Sequence, residues 1–223
     1  MSFFHRLVAE TAEEQKALAA VPQIQAGLSG RISLETYIAY LTEAYHHVKH
    51  TVPLMETAKA LMGENRVVFS EALDEYIAEE TGHERWILND IRNCGGDAEG
   101  VRTGAPRPAT QAMVDYAYAF IRNDNPMGFF GMVFVLEGTS VQLATQGAEA
   151  GAHRLGLPPQ CFSYLTSHGS LDLEHMNFFQ RLMDQVEDEA DQADIIQMAR
   201  RMFGLFADVF RAIPHQPVLA HAV

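Results

Sequence analysis

Apolar residues recur at three- and four-residue spacing along almost the whole chain, and this period constrains the fold more than any other feature. Phe4, Leu7, Val8 and Leu18 show it within the first twenty residues. No run alternates with period two between turn signals, so no sheet is expected. The pattern predicts a helix over 3–20, then a long one over 33–62 that Ser33 caps and Pro53 kinks near His50. A third helix is expected over 65–93, closed by Gly95 and Gly96, with a polar surface linker over 96–108. Further helices are expected over 109–123, 125–149, up to about 166, 167–186 and 190–212, with a turn at 151–159. The result is an all-α bundle of seven or eight helices in one domain, 1–214, followed by a tail at 215–223.

Composition narrows the class of function. Of 223 residues, 48% are hydrophobic, enough for a substantial core. No uncharged apolar run approaches the ~18 residues of a membrane span, and the first residues do not read as a secretory signal. Cys94 and Cys161 cannot build a disulfide framework, which points to a reducing, cytoplasmic location. Twenty-nine acidic against 16 basic residues give a net charge of −13, a surface that repels nucleic acid. The acidic run 187–194 reads as a solvated loop and helix start.

Ten histidines stand out, five of them in two short clusters. In the segment His168-Gly-Ser-Leu-Asp172-Leu-Glu-His175, a helix turning ~100° per residue puts His168, Asp172 and His175 on one stripe. Two imidazoles and a carboxylate on one face suit a transition metal such as iron or manganese; the plainer reading pairs Asp172 with a histidine in a polar stripe. In Glu79-Glu80-Thr-Gly-His83, Glu80 and His83 have the Glu-x-x-His spacing of di-iron bundles. Glu79 and His83 lie at i, i+4, so either carboxylate can serve, and a charged solvated face is the competing reading.

Glu137 stands in a mostly apolar segment, 127–138. A buried carboxylate there must be protonated, paired with a base or bound to metal. Gly128 and Gly131 permit close approach of another helix, and Phe130 and Phe134 serve core packing or a pocket wall. In Glu43-Ala-Tyr-His46-His47-Val-Lys-His50, the residues Glu43, His47 and His50 follow an i, i+4, i+7 stripe with His46 beside it. They are the candidate catalytic groups, acting as ligands, as supports that orient ligands, or as the pocket wall. Taken together, Glu80, His83, Glu137, His168, Asp172 and His175 offer three carboxylates and three imidazoles. Such a set suits two divalent ions with positions left open for O₂ and substrate, and iron can supply electrons where zinc cannot.

At these residues the chain resembles the haem-oxygenase-like iron-containing redox enzymes, di-iron oxidases related in fold to TenA thiaminases and pyrroloquinoline-quinone synthase. The likeness rests on Glu43 to His50, Glu79 to His83 with Trp86, Asn125-Pro126 leading to Leu136-Glu137-Gly138, and His168 to His175. It implies a haem-oxygenase-like (TenA-like) bundle that holds two irons per chain and uses O₂ as co-substrate. The implied ligands are Glu80 (or Glu79), His83, Glu137, His168, Asp172 and His175. Such relatives oxidise varied small molecules, including fatty acids, amino acids and N-hydroxylated compounds, so the resemblance does not give the substrate. Electrons would come from an external donor, since no flavin or nicotinamide fingerprint is present. A homodimer is the default assembly. Two rival readings are a metal-free TenA-like enzyme acting on a thiamine-type heterocycle and a non-catalytic metal-binding bundle. The first needs a cysteine nucleophile inside the bundle, whereas Cys94 falls at a helix end and Cys161 just after Pro158-Pro159. Haem itself would be crowded by inward carboxylates.

Overall fold

The computed structural model describes residues 1–215, apart from the side chains of 168–174. Every regular element among the described residues is helical. The chain opens with α1 (Phe3–Glu10), α2 (Ala12–Ala19) and α3 (Pro22–Leu28), followed by α4 (Leu34–Val48) and α5 (Thr51–Leu61). Next come α6 (Val67–Glu80), α7 (Glu84–Asn93), α8 (Ala98–Thr103) and α9 (Pro108–Asn123). The long rods α10 (Phe129–Leu155), α11 (Ser163–Met183) and α12 (Glu189–Ala212) complete the bundle.

Local chemistry explains where this differs from the periodicity. The predicted rod over 33–62 is two helices, not one kinked helix, with a break at Lys49 and His50. Restarting there puts Pro53 in the first turn of α5, where a missing N–H costs nothing. The predicted rod over 65–93 breaks at Thr81 to His83, where Gly82 takes φ +96°. A left-handed residue of that kind ends a helix and is natural for glycine. The first rod breaks at Thr11, whose hydroxyl donates back to the Leu7 carbonyl at 2.7 Å. The linker over 96–108 contains α8, capped by Asp97 accepting from the Gly100 amide at 2.9 Å.

Two boundaries shift for a packing reason. The turn predicted at 151 comes later, since α10 continues to Leu155 and ends on Gly156 at φ +63°. Gly151 is buried inside that helix, close to the Phe162 ring. The boundary predicted between 166 and 167 does not exist; α11 runs through it.

α10 is the axis of the core. Phe129, Phe130, Met132, Val133, Phe134 and Val135 are all buried on it, and it packs against α3, α11 and α12. With its leading turn, the stretch Pro126–Leu155 is long and apolar enough to cross a membrane, at mean hydropathy 1.4, yet 56% of that window is buried within the bundle. Gly131 permits the closest approach: a Cβ there would fall against the Ile195 carbonyl and 2.8 Å from the Ala199 amide of α12.

Buried carboxylates fasten helix ends to neighbouring rods. Asp90 on α7 accepts from the Ser163 hydroxyl and from the Tyr164 amide at 2.8 Å, capping α11 from outside. Beside it, the Asn93 amide group donates to the Gln160 carbonyl at 2.7 Å. Burial raises the Asp90 carboxyl above its ordinary pKa despite these bonds. Asp191 accepts from Arg66 at 2.6 and 3.2 Å and from Asn125 at 2.8 Å, holding the turn that leads into α10. The acidic run is therefore only partly solvated, with Asp188 capping α12 and Asp191 buried. Replacing Asp90 with alanine leaves the Tyr164 amide without its acceptor, so Asp90→Ala should lower stability by about 1–3 kcal/mol in urea unfolding while the far-ultraviolet spectrum of the folded protein stays helical.

Candidate metal centre

The packing of three helices brings three ligand-type side chains to one point. Glu80 is the last residue of α6, Glu137 lies about a third of the way along α10 and His175 lies on α11. One ligand atom from each lies within 4.8 Å of the other two. His175 turns Nδ1 toward Glu137 Oε1 at 3.5 Å and Nε2 toward Glu79 Oε2 at 2.7 Å. Glu80 Oε2 meets His83 Nδ1 at 2.9 Å, and the His83 ring stacks on Trp86 with centroids 4.0 Å apart. Tyr76, one turn before Glu80, sets its ring edgewise against His175 at 5.6 Å.

The break at Gly82 gives this arrangement a shape that the sequence spacing does not imply. Glu80 and His83 do not share a continuous helical face: one ends α6 and the other precedes α7, and they touch each other across the turn. The alternatives Glu79 and Glu80 separate in space. Glu80 is buried in the cluster, whereas the Glu79 side chain is 58% exposed and meets the outer nitrogen of His175. Placed there, Glu79 fixes the tautomer of His175 and directs Nδ1 inward, the part a carboxylate plays behind a metal-bound imidazole. His168 and Asp172 lie outside the described residues.

Glu80, Glu137 and His175 fit a metal ion on charge grounds. Two ionised carboxylates at this separation repel by roughly 3 kcal/mol at an effective dielectric of ~20. No lysine or arginine is among the described residues lining the cavity around them. A cation or a proton must offset that repulsion, and oxygen donors with an imidazole nitrogen suit iron.

A cavity of about 80 Å³ lies against Glu80 and Glu137, walled by Phe129, Met132, Val133 and Leu136 with His47, Ser140 and Tyr164. Phe130 and Phe134 do not line it; Phe134 packs into the core against Phe179 and Phe203. Of the three candidate catalytic residues, His47 alone reaches this cavity among the described residues. Glu43 is buried elsewhere and serves α9, accepting from the Thr110 hydroxyl and from the Arg107 amide at 3.1 Å. His50 meets the Tyr118 hydroxyl at 3.3 Å, and His46 meets Lys49 at 3.1 Å. Burial, then the nearby Lys49 charge, holds both imidazoles below their ordinary pKa. The i, i+7 stripe fails because α4 ends at Val48, before His50. Ser140 and Tyr164 were missed by the sequence reading, although Ser140 stands one turn after Glu137.

Residues 38–207 match the family described as iron-containing redox enzymes. The chain belongs to that family. No curated protein sequence matches the chain. Among solved structures, it resembles a domain of unknown function with a heme oxygenase-like fold from Shewanella denitrificans OS217, at 23% identity and TM-score 0.86 over 94% of this chain and 91% of that one. It also resembles a TenA homologue from Pseudomonas syringae pv. tomato, at 12% identity and TM-score 0.79 over 94% and 91%. A third is heme oxygenase-1 from the cyanobacterium Synechocystis, solved with heme, at 13% identity and TM-score 0.74 over 95% and 91%. The fold is thus the heme oxygenase-like, TenA-like bundle, as the sequence resemblance implies.

If the two carboxylates repel when no ion is bound, Glu137→Gln should stabilise the metal-free protein by about 1–2 kcal/mol while reducing its bound iron. Denaturant titration in the presence of chelator, set beside metal analysis of the loaded protein, measures both effects.

Proposed function

We propose that this protein is a non-haem di-iron oxidase or oxygenase that uses O₂ to oxidise a small organic molecule, drawing electrons from an external donor. The observation that carries this reading is the meeting of Glu80, Glu137 and His175, with both carboxylates against one cavity, in a chain of an iron-containing redox family. Glu80, Glu137 and His175 would hold iron, with His83, His168 and Asp172 as the further ligands expected from the sequence. Iron bound there supplies the electrons that activate O₂.

The protein's own residues do the rest. Glu79 holds Nε2 of His175, and Trp86 holds the ring of His83 flat against it, so both imidazoles are oriented in advance. Phe129, Met132, Val133 and Leu136 give the cavity an apolar wall, and low-dielectric surface beside the carboxylates strengthens the electrostatic contacts there. His47 supplies an imidazole to the cavity wall and packs edgewise on Phe206 with ring centroids 5.8 Å apart. It is placed to give or take the proton that accompanies oxidation of a substrate bond. A thiol-based reaction gains no support from the geometry. Neither cysteine lines the cavity, and burial pushes the Cys94 thiol up to about 12, which keeps it protonated and inert.

Protein loaded anaerobically should carry up to two irons per chain, and mixing it with O₂ should give a transient absorbance in stopped flow. His175→Ala should lower iron stoichiometry with helicity nearly intact, because apolar burial holds the bundle together. His47→Ala should keep its iron and lose turnover about 10²-fold or more. A wild-type protein that holds no iron, or whose iron oxidises only slowly and stoichiometrically, would overturn this reading.

A further inference from the structure

We propose that the substrate has one polar end and an uncharged aliphatic body, and that the body lies in a second cavity sharing a wall with the metal centre. The proposal rests on the oxidase reading above and adds the class of molecule it acts on. A cavity of about 150 Å³ runs between α3, α4, α10 and α12. His47, Leu136, Ser140 and Tyr164 line it and also line the smaller cavity at Glu80 and Glu137. Ile24, Leu28, Leu143, Phe206, Phe210 and Ile213 give most of the remaining lining an apolar character, with Gln23, Thr36 and Thr139 among its uncharged polar groups. Among the described residues lining it there is no lysine, arginine, aspartate or glutamate. A charged body placed there would be stripped of water with nothing to compensate it. An aliphatic body gains about fourfold in affinity for each methylene buried.

Two glycines indicate that the space is kept open. Gly27 and Gly147 both line the larger cavity, and a Cβ on either would meet no atom within 4 Å. Neither has the left-handed backbone that requires glycine. Gly147 lies inside α10, where glycine is a poorer helix former than alanine, and no neighbouring helix presses on it as α12 presses on Gly131. Close packing therefore does not explain these positions, and both leave the cavity wide where α3 and α10 border it. The polar end follows from the shared wall, because three of the four residues that line both cavities, His47, Ser140 and Tyr164, carry polar side chains.

The probe is a series of straight-chain primary alcohols, from butanol to decanol, titrated calorimetrically into the iron-loaded protein without O₂. The dissociation constant should fall about fourfold per added carbon until the cavity is filled and then level off, with a negative heat-capacity change. Gly147→Leu should move that plateau to shorter alcohols and weaken the longest bound one at least tenfold, leaving butanol affinity, iron content and helicity unchanged. Gly27→Leu gives the same test from α3, should the first variant fold poorly. Absence of binding, a dissociation constant independent of length, or a plateau unmoved in both variants overturns the proposal. The two readings fail separately. Iron and O₂ chemistry without length dependence removes only the aliphatic substrate. Length-dependent binding to a protein that takes up no iron removes the oxidase, and with it the claim that the bound molecule is oxidised.

Discussion

Two acids held close together in an apolar interior are the constraint on which the rest of this structure turns. Glu80 and Glu137 approach each other beside a cavity walled by Phe129, Met132, Val133 and Leu136, and no lysine or arginine is among its described lining residues. Left ionised and without a cation, they would work against the same burial that holds α10 in place. The histidines and outer carboxylate around them form an ordered shell: Glu79 on the outer nitrogen of His175, His83 on Glu80, Trp86 on His83. A bundle that needed only stability would fill that volume with leucine and phenylalanine.

The scaffold delivers these groups by fixing helix ends rather than by long uninterrupted rods. Gly82 ends α6 on Glu80 and lets His83 fold back toward it. Asp90 on α7 caps α11, so the helix that carries His175 is tied to the one that follows His83. Asp191 and Asn125 set the entry to α10, while Gly131 lets that helix seat deeply against α12 and fixes the depth of Glu137. Glu43 plays the same part for α9 that Asp90 plays for α11. The buried carboxylates thus divide into two kinds: those that accept from backbone amides, hydroxyls or the side chains of Arg66 and Asn125, and those that face one another.

That division was partly legible from the residues. Glu137 marks itself as exceptional because it interrupts an apolar segment, and the Glu79–His83 string carries the right donors. Glu43 carries no mark that separates a helix cap from a catalytic base, since both are an acid on the inner face of a helix. The stripe through Glu43, His47 and His50 assumed an unbroken helix, and the stop at Val48 dissolves it, leaving only His47 against the cavities. The glycines show the same limit. Gly131 and Gly147 look alike in the sequence, yet one admits a neighbouring helix and the other borders open space.

By itself the sequence determined the all-helical class, the apolar character of the α10 segment and the presence of Glu80, Glu137 and His175 as ligand-type side chains, because periodicity and side-chain chemistry are local properties. Only the tertiary structure decided which of Glu79 and Glu80 turns inward, that Glu80 and His83 meet across a turn, and that a larger apolar cavity adjoins the site. Those outcomes depend on the direction a chain takes after a single left-handed glycine and on which helix packs opposite, and neither is encoded within the few residues concerned.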